Sequence, residues 1–286
     1  MARGDGSSSQ PAGSFAGGVL IAAYGIFAYV LFLLTFLYLI GFVADADFMI
    51  SNVHVVGKTL DRGGLGDGTL TVTAVVVDVA LLALFAVQHS IMARTGFKRW
   101  WTRIVPASAE RSTYVLASNG CLIALFAGWF PITHDVWRVA AQPARALLTV
   151  TGLVGWAVAL LSTVLVDHFD LFGLRQVFAR IRGRQLAEHQ FMTPLFYRAV
   201  RHPLYLGFLI AFWVTPRMTL GHLLFATVTT GYILVAVRFE ERDLIRVFGE
   251  EYRDYRRRVP MLIPGLGGRS RRTRPTARSV APTRRS

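Results

Sequence analysis

The sequence predicts an all-α fold: a polytopic membrane helical bundle of four spans, followed by a C-terminal helical hairpin and a cytoplasmic amphipathic helix. Three observations predict it. Of 286 residues, 53% are hydrophobic and only 17% are charged, against roughly 25% charged in an average soluble domain. The apolar residues gather in runs close to the roughly 20 residues that a helix needs to cross a bilayer. The segments between those runs alternate between basic and non-basic. The mean hydropathy is +0.44. Such a composition excludes an intrinsically disordered chain and argues against a water-soluble enzyme. The formal net charge is +14, and most of the excess flanks apolar runs or sits in the tail. An anionic membrane face is therefore the expected partner, and nucleic acid is not. The single cysteine, Cys121, excludes an internal disulfide framework and a cysteine-rich metal site.

Residues 1–18 are Gly- and Ser-rich and are predicted to be disordered. Val19–Val43 carries no charge and is the first span. It exceeds the roughly 7–15 residues of a signal-peptide core, so it is expected to be retained. Asp45–Gly68 sets Asp45, Asp47, Asp61 and Asp67 against Lys58 and Arg62, which marks an external loop. Thr69–Met92, interrupted by Asp78 and His89, is the second span. Ala93–Arg111 holds Arg94, Lys98, Arg99, Arg103 and Arg111, so it lies inside. Ser112–Ile132 and Ala146–Val166 are the third and fourth spans, with a weakly charged external loop between them. Asp167–Arg201 is arginine-rich and internal. Pro203–Pro216 is apolar but too short to span alone, and Met218–Val237 is longer. With Thr215-Pro216-Arg217 between them they read as a hairpin turning in or near the far leaflet. Leu244, Phe248, Tyr252, Tyr255 and Val259 step by three or four, the stripe of a helix lying on the membrane surface or against the protein. Residues 269–286 hold seven arginines and no carboxylate and are predicted to be a disordered tail. Both termini are expected in the cytoplasm.

Polar residues inside a membrane are expensive and mark function. The spans hold few of them: Asp78, His89 and, in the hairpin, His222. A transport pathway would place more charge at mid-membrane. The dense polar chemistry lies in the last third instead. In Arg201-His202-Pro203-Leu204-Tyr205-Leu206-Gly207, Pro203 suits the first turn of a helix. His202 is then at its cap, beside free backbone N–H groups and the positive end of the helix dipole. Tyr205 follows one turn on. The residues fit a carboxylate-binding helix start, and they equally fit an ordinary capped helix with interfacial His and Tyr. Glu240 and Glu241 directly follow the final apolar run, where a carboxylate needs a partner. A cationic ligand would suffice, and the alternative is a solvated pair of carboxylates bound to Arg242 or Arg246.

Together these segments resemble the isoprenylcysteine carboxyl methyltransferases and their relatives, the phospholipid methyltransferases. The pattern is Arg201-His202-Pro203-x-Tyr205-x-Gly207, a hydrophobic hairpin, then Glu240-Glu241-x-x-Leu244. Phe248-Gly249-Glu250-Glu251-Tyr252-x-x-Tyr255 and Val259-Pro260 follow. In the N-terminal half, Gln88-His89-Ser90, Met92-Ala93-Arg94 and Glu110-Arg111-Ser112-Thr113-Tyr114 are similar to the NnrU-like family. Within it the whole-chain layout looks most like the bacterial methanethiol S-methyltransferases, over roughly Val19 to Pro264.

The resemblance implies an integral methyltransferase domain over residues 19–268, with the cofactor-binding part at about 186–264. The implied enzyme sits in the bacterial cytoplasmic membrane and uses S-adenosyl-L-methionine as cofactor. Its implied reaction is methylation of methanethiol, a small volatile thiol, to dimethyl sulfide. Carried over, the cofactor ligands are His189, Gln190, Phe191, Met192, Tyr197, His202, Leu204, Tyr205 and Glu240 or Glu241. The proposed catalytic pair is Glu241, relaying the thiol proton, and Arg238, one turn before it, orienting that carboxylate and stabilising thiolate. Membrane lipid is the other expected partner, and no metal is implied. Another small thiol, a lipid amine or an isoprenoid carboxylate remains open as acceptor. So does a non-enzymatic accessory role in nitrogen-oxide metabolism.

Overall fold

The structure is a computed structural model and describes residues 15–46, 49–50, 53–54, 57–166, 168–181 and 193–265. Helix α1 (Phe15–Val43) starts four residues earlier than expected and is followed by a small antiparallel pair, β1 (Met49–Ile50) and β2 (Val53–His54). Next come α2 (Val72–Ala93), α3 (Thr95–Trp101), α4 (Ala107–Gly128), β3 (Asp135–Arg138) and α5 (Gln142–Val166). The short α6 (His168–Leu171) and α7 (Leu174–Ile181) precede a 3-10 turn at Leu195–Arg198. The chain then forms α8 (Pro203–Trp213), β4 (Arg217–Thr219), α9 (Leu220–Phe248) and α10 (Glu250–Arg258).

Helices α1, α2, α5 and α9 are long and apolar enough to cross a membrane, and the chain is a multi-pass membrane protein. Two of them begin at side-chain caps. The Thr71 hydroxyl accepts from Ala74 N–H at 3.0 Å, and Thr219 accepts from His222 N–H at 3.1 Å. Helix α4, expected as the third span, is not among these four. It packs against α1 and α2 and buries Ser112, Ser118 and Asn119 there. It also ends at Gly128 and not at Ile132. The buried Asp78 of α2 accepts from Phe130 N–H at 2.9 Å, and Trp129 Nε1 donates to Leu60 O at 3.1 Å. Both bonds draw the chain out of the helix, which gives Asp78 a structural task.

The hairpin is asymmetric. Helix α8 has 11 residues and α9 has 29, so only α9 is long enough to cross alone. Its turn is not bare: β4 pairs antiparallel with β3, Trp137 opposite Met218. Arg217 Nε donates to Asp135 at 2.7 Å and holds that carboxyl below the usual range. Thr219 donates to the buried Asp61 at 2.5 Å. Backbone bonds from Leu65 to Trp129, Thr133 to Gly68 and Gly221 to Ile132 join the same loops. The segments whose charge assigned them to one side of the membrane thus meet at one end of the bundle. At the other end Arg94 pairs with Asp243 at 3.3 Å and lies 4.3 Å over the Phe239 ring.

Helices α5 and α8 touch backbone to backbone. A Cβ on Gly207 would sit 2.5 Å from Ala159 N and 2.6 Å from Gly155 O. This is the small-residue approach by which helices pack in lipid, where apolar side chains gain little from mutual burial. His222 fastens the hairpin by a 2.8 Å hydrogen bond between its Nε2 and Phe212 O. The predicted stripe from Leu244 to Val259 is not one helix. The chain breaks at Gly249, whose φ of 58° suits glycine. Beyond the break α10 turns back and buries Tyr252 and Tyr255, so it lies against the protein and not along a lipid surface.

Candidate functional site

The predicted motif halves lie 40 residues apart in sequence and meet through one buried carboxylate. Pro203 opens α8 as expected, with His202 at its cap and no side chain capping the helix start. Backbone bonds from Arg201 N–H to Pro260 O (2.9 Å) and from His202 N–H to Met261 O (3.2 Å) clamp this start onto the strand-like exit from α10. Glu241 reaches the same point from α9. Its Oε1 accepts from Arg201 Nε at 2.7 Å and lies 3.3 Å from His202 Nε2. Its Oε2 is 3.3 Å from Arg256 Nε of α10. Arg201 Nη1 also donates to Arg256 O at 3.0 Å and to Val259 O. Two buried charges thus satisfy each other and tie α8, α9 and α10 together. Such a pair holds only when its remaining hydrogen bonds are made, as they are here.

The structure separates the adjacent glutamates. The side chain of Glu241 is 7% exposed, whereas that of Glu240 is 45% exposed with Oε2 3.8 Å from His202 Nδ1. His202 therefore stands between a structural carboxylate on Nε2 and an accessible one on Nδ1. The Tyr205 ring lies 5.8 Å from the His202 ring, one turn along α8 as expected. Leu204 is half-buried beside it. Tyr197 is further off, in the 3-10 turn. Its carbonyl accepts from the Tyr255 hydroxyl at 2.5 Å, and its own hydroxyl donates to Ser162 O at 3.5 Å. Burial pushes the Tyr255 phenol up to about 12, so it stays a neutral donor near pH 7.

Arg238 does not take the expected position. It is exposed on α9 and is not among the partners of Glu241, because the neighbours of that carboxylate come from the approach to α8 and from α10. Arg201 and Arg256 orient Glu241 instead. Sequence reasoning quoted Arg201 in the motif without giving it a role, although its adjacency to His202 was the available signal. His189, Gln190, Phe191 and Met192 lie outside the described residues. A pocket of about 440 Å³ adjoins the knot at Val259 and is lined by Thr193, Arg198, Glu251, Tyr255, Arg258 and Val259. It includes none of His202, Tyr205 or Glu240. Among the described residues, no group of three His, Cys, Asp or Glu side chains is placed to hold a metal ion.

The chain is similar over most of its length to several curated proteins. Methanethiol S-methyltransferase 2 of Bradyrhizobium diazoefficiens is 51% identical over 251 residues, which is 88% of this chain and 92% of its own. Methanethiol S-methyltransferase of Mycobacterium tuberculosis is 50% identical over 248 residues, 86% of this chain and 96% of its own. A Nurim homolog of Drosophila pseudoobscura pseudoobscura is 31% identical over 176 residues, 59% of this chain and 70% of its own. No protein-family model and no solved structure matches the chain.

Proposed function

The chain belongs to the methanethiol S-methyltransferase family, and from that membership we propose that it methylates methanethiol to dimethyl sulfide with S-adenosylmethionine as donor. The observation that carries the reading is the Arg201–Glu241–His202 knot. It joins two motif halves that the resemblance makes cofactor-binding, and it leaves an open helix start with Tyr205 and Glu240 beside it.

When bound, S-adenosylmethionine supplies a methyl group made electrophilic by the sulfonium charge. This chain's residues fit it as follows. The uncapped first turn of α8 offers the Leu204 and Tyr205 amides to a carboxylate. Glu240, accessible and close to His202, suits an ammonium or ribose hydroxyls. His189, Gln190, Phe191, Met192 and Tyr197 are assigned to the remaining contacts by the resemblance. Glu241 positions His202, since both of its oxygens are engaged, and we assign it no proton transfer. Arg238 is exposed on α9, and Arg201 and Arg256 take the place beside Glu241 that was expected of it. The reaction needs the acceptor sulfur held in line, about 3–3.5 Å from the methyl carbon. A small apolar thiol partitions into lipid and reaches such a site from the bilayer.

We place the site and both termini on the cytoplasmic face of a bacterial cytoplasmic membrane, from the Arg/Lys excess at that end. The test is headspace analysis of the purified chain in nanodiscs. Dimethyl sulfide should form only when methanethiol and S-adenosylmethionine are both present, and its absence from correctly folded protein would overturn the reading.

A further inference from the structure

Three polar side chains inside the spans stood out in the sequence. Asp78 and His222 are sealed, at 0% and 1% exposure, and each makes a structural hydrogen bond. His89 differs: it is half-buried and belongs to a cluster where α2, α4 and α9 meet. The Tyr114 hydroxyl lies 2.7 Å from His89 Nε2, and Ser118 Oγ lies 3.2 Å from its Nδ1. The imidazole stacks on Phe85 with centroids 5.1 Å apart. Tyr232 of α9 meets the same Phe85 edge-on at 6.4 Å, and Ser90 Oγ lies 3.5 Å from the Tyr232 hydroxyl. Tyr114 and Tyr232 are both within electrostatic range of Tyr205, and so is Glu240. Tyr205 therefore stands between two groups, its ring beside His202 and its hydroxyl toward Glu240, with Tyr114 and Tyr232 close enough to act on it through space.

Resting on the function proposed above, we infer that this cluster is the acceptor pocket and that Tyr114, backed by His89, removes the thiol proton. The aromatic rings of Phe85, Tyr114, Tyr205 and Tyr232 suit a small sulfur compound, because polarisable sulfur packs favourably against ring edges. The same rings suit the neighbouring positive charge of a sulfonium donor. A proton acceptor is needed because a thiol is mostly protonated at pH 7, cysteine itself ionising at about 8.5. The step balances as follows. The thiol S–H bond breaks, and its proton goes to the Tyr114 oxygen as Tyr114 passes its own to His89 Nε2. The sulfur pair forms the new S–CH3 bond. The bond from that methyl to the donor sulfur breaks with its electron pair left on the donor, which becomes a neutral thioether. The positive charge ends on the His89 imidazolium, which yields its proton to solvent after product leaves.

The titratable and charged groups facing this pair come from every element around it. They are Tyr232 of α9, Tyr205 of α8 with Glu240 behind it, and Glu110 and Arg111 of α4, which act on Tyr114. With Ser118 on Nδ1 and the Tyr114 hydroxyl on Nε2, the tautomer that carries its proton on Nδ1 turns the Nε2 pair toward Tyr114 to take the proton. Tyr114 is the catalytic residue, touching the thiol, and His89 acts through it.

The test uses full-length Tyr114→Phe and His89→Gln in nanodiscs. Turnover of methanethiol at pH 7 should fall by about a hundredfold, the usual scale of a lost proton transfer. Calorimetric affinity for S-adenosylmethionine should be unchanged. The deficit should shrink as pH rises toward the thiol's own ionisation, and it should shrink for a more acidic small thiol such as trifluoroethanethiol. If Tyr114→Phe does not accumulate, Ser118→Ala keeps both rings and should show a smaller loss with the same dependence on pH and thiol acidity. Normal turnover in these variants overturns the inference. So does a loss that is equal at every pH and for both thiols, or one that tracks lost donor affinity. If the wild-type chain makes dimethyl sulfide and the variants match it, only the pocket assignment falls. If the wild type makes none, the functional reading falls first and the pocket with it.

Discussion

Glu240 and Glu241 follow each other in sequence and live in opposite surroundings. On a helix, adjacent residues point about 100° apart, so one must face more inward than the other. The apolar stripe runs back from Leu244 to both Glu241 and Glu240 at steps of three and four, yet only the Glu241 carboxylate is buried. What buries it was not legible, because Arg201 comes from the approach to α8 and Arg256 from α10. The two positions should therefore fail differently. Glu240→Gln should weaken S-adenosylmethionine binding about tenfold, or about 1.4 kcal/mol, with an unchanged unfolding midpoint. Glu241→Gln strips the buried Arg201 of its counter-charge and should cost on the order of 3 kcal/mol of stability. Calorimetric titration and thermal unfolding in detergent measure the two effects, and an inverted pattern would swap the roles assigned here.

At the scale of elements, the closest approach in the bundle is the one between α5 and α8. Gly155, Gly207 and Ala159 let the two backbones touch, and α8 carries His202 and Tyr205 at its start. A glycine at 207 leaves room for either a helix or a ligand, and α5 takes that room. Gly207→Val should thus prevent stable accumulation, since even a Cβ would lie under 3 Å from backbone atoms of α5. Gly231→Ala, in the middle of α9 with open space around it, should be neutral or gain up to about 1 kcal/mol of helix propensity. Yield of folded protein by size-exclusion chromatography distinguishes them. The break at Gly249 escaped periodicity for a physical reason. The apolar steps of three and four continue across it, so the stripe cannot report that the axis turns.

Across the whole molecule, the loops assigned to one side by charge are joined by hydrogen bonds at one end, through Asp61, Thr219, Arg217 and Asp135. That agreement supports an even number of crossings between the first span and the end of α9. A reporter fused after Pro264 and one fused before Val19 should both read as cytoplasmic in intact cells. A periplasmic signal from either would mean that the charge bias had been read with the wrong sign.

The apolar runs by themselves determined an all-α membrane bundle, because a chain in lipid must satisfy its backbone within each helix. The order of charged loops likewise determined which segments share an end. The Arg-His-Pro and Glu-Glu segments were legible as the two halves of one site, through resemblance over about 65 residues. The tertiary structure alone decided which glutamate is structural, that Arg201 and not Arg238 holds it, and that His89 meets Tyr114 of another helix. The reason is the same in each case. Hydrophobic periodicity reports the face a residue presents within its own element, whereas these pairings depend on how separate elements are placed against one another.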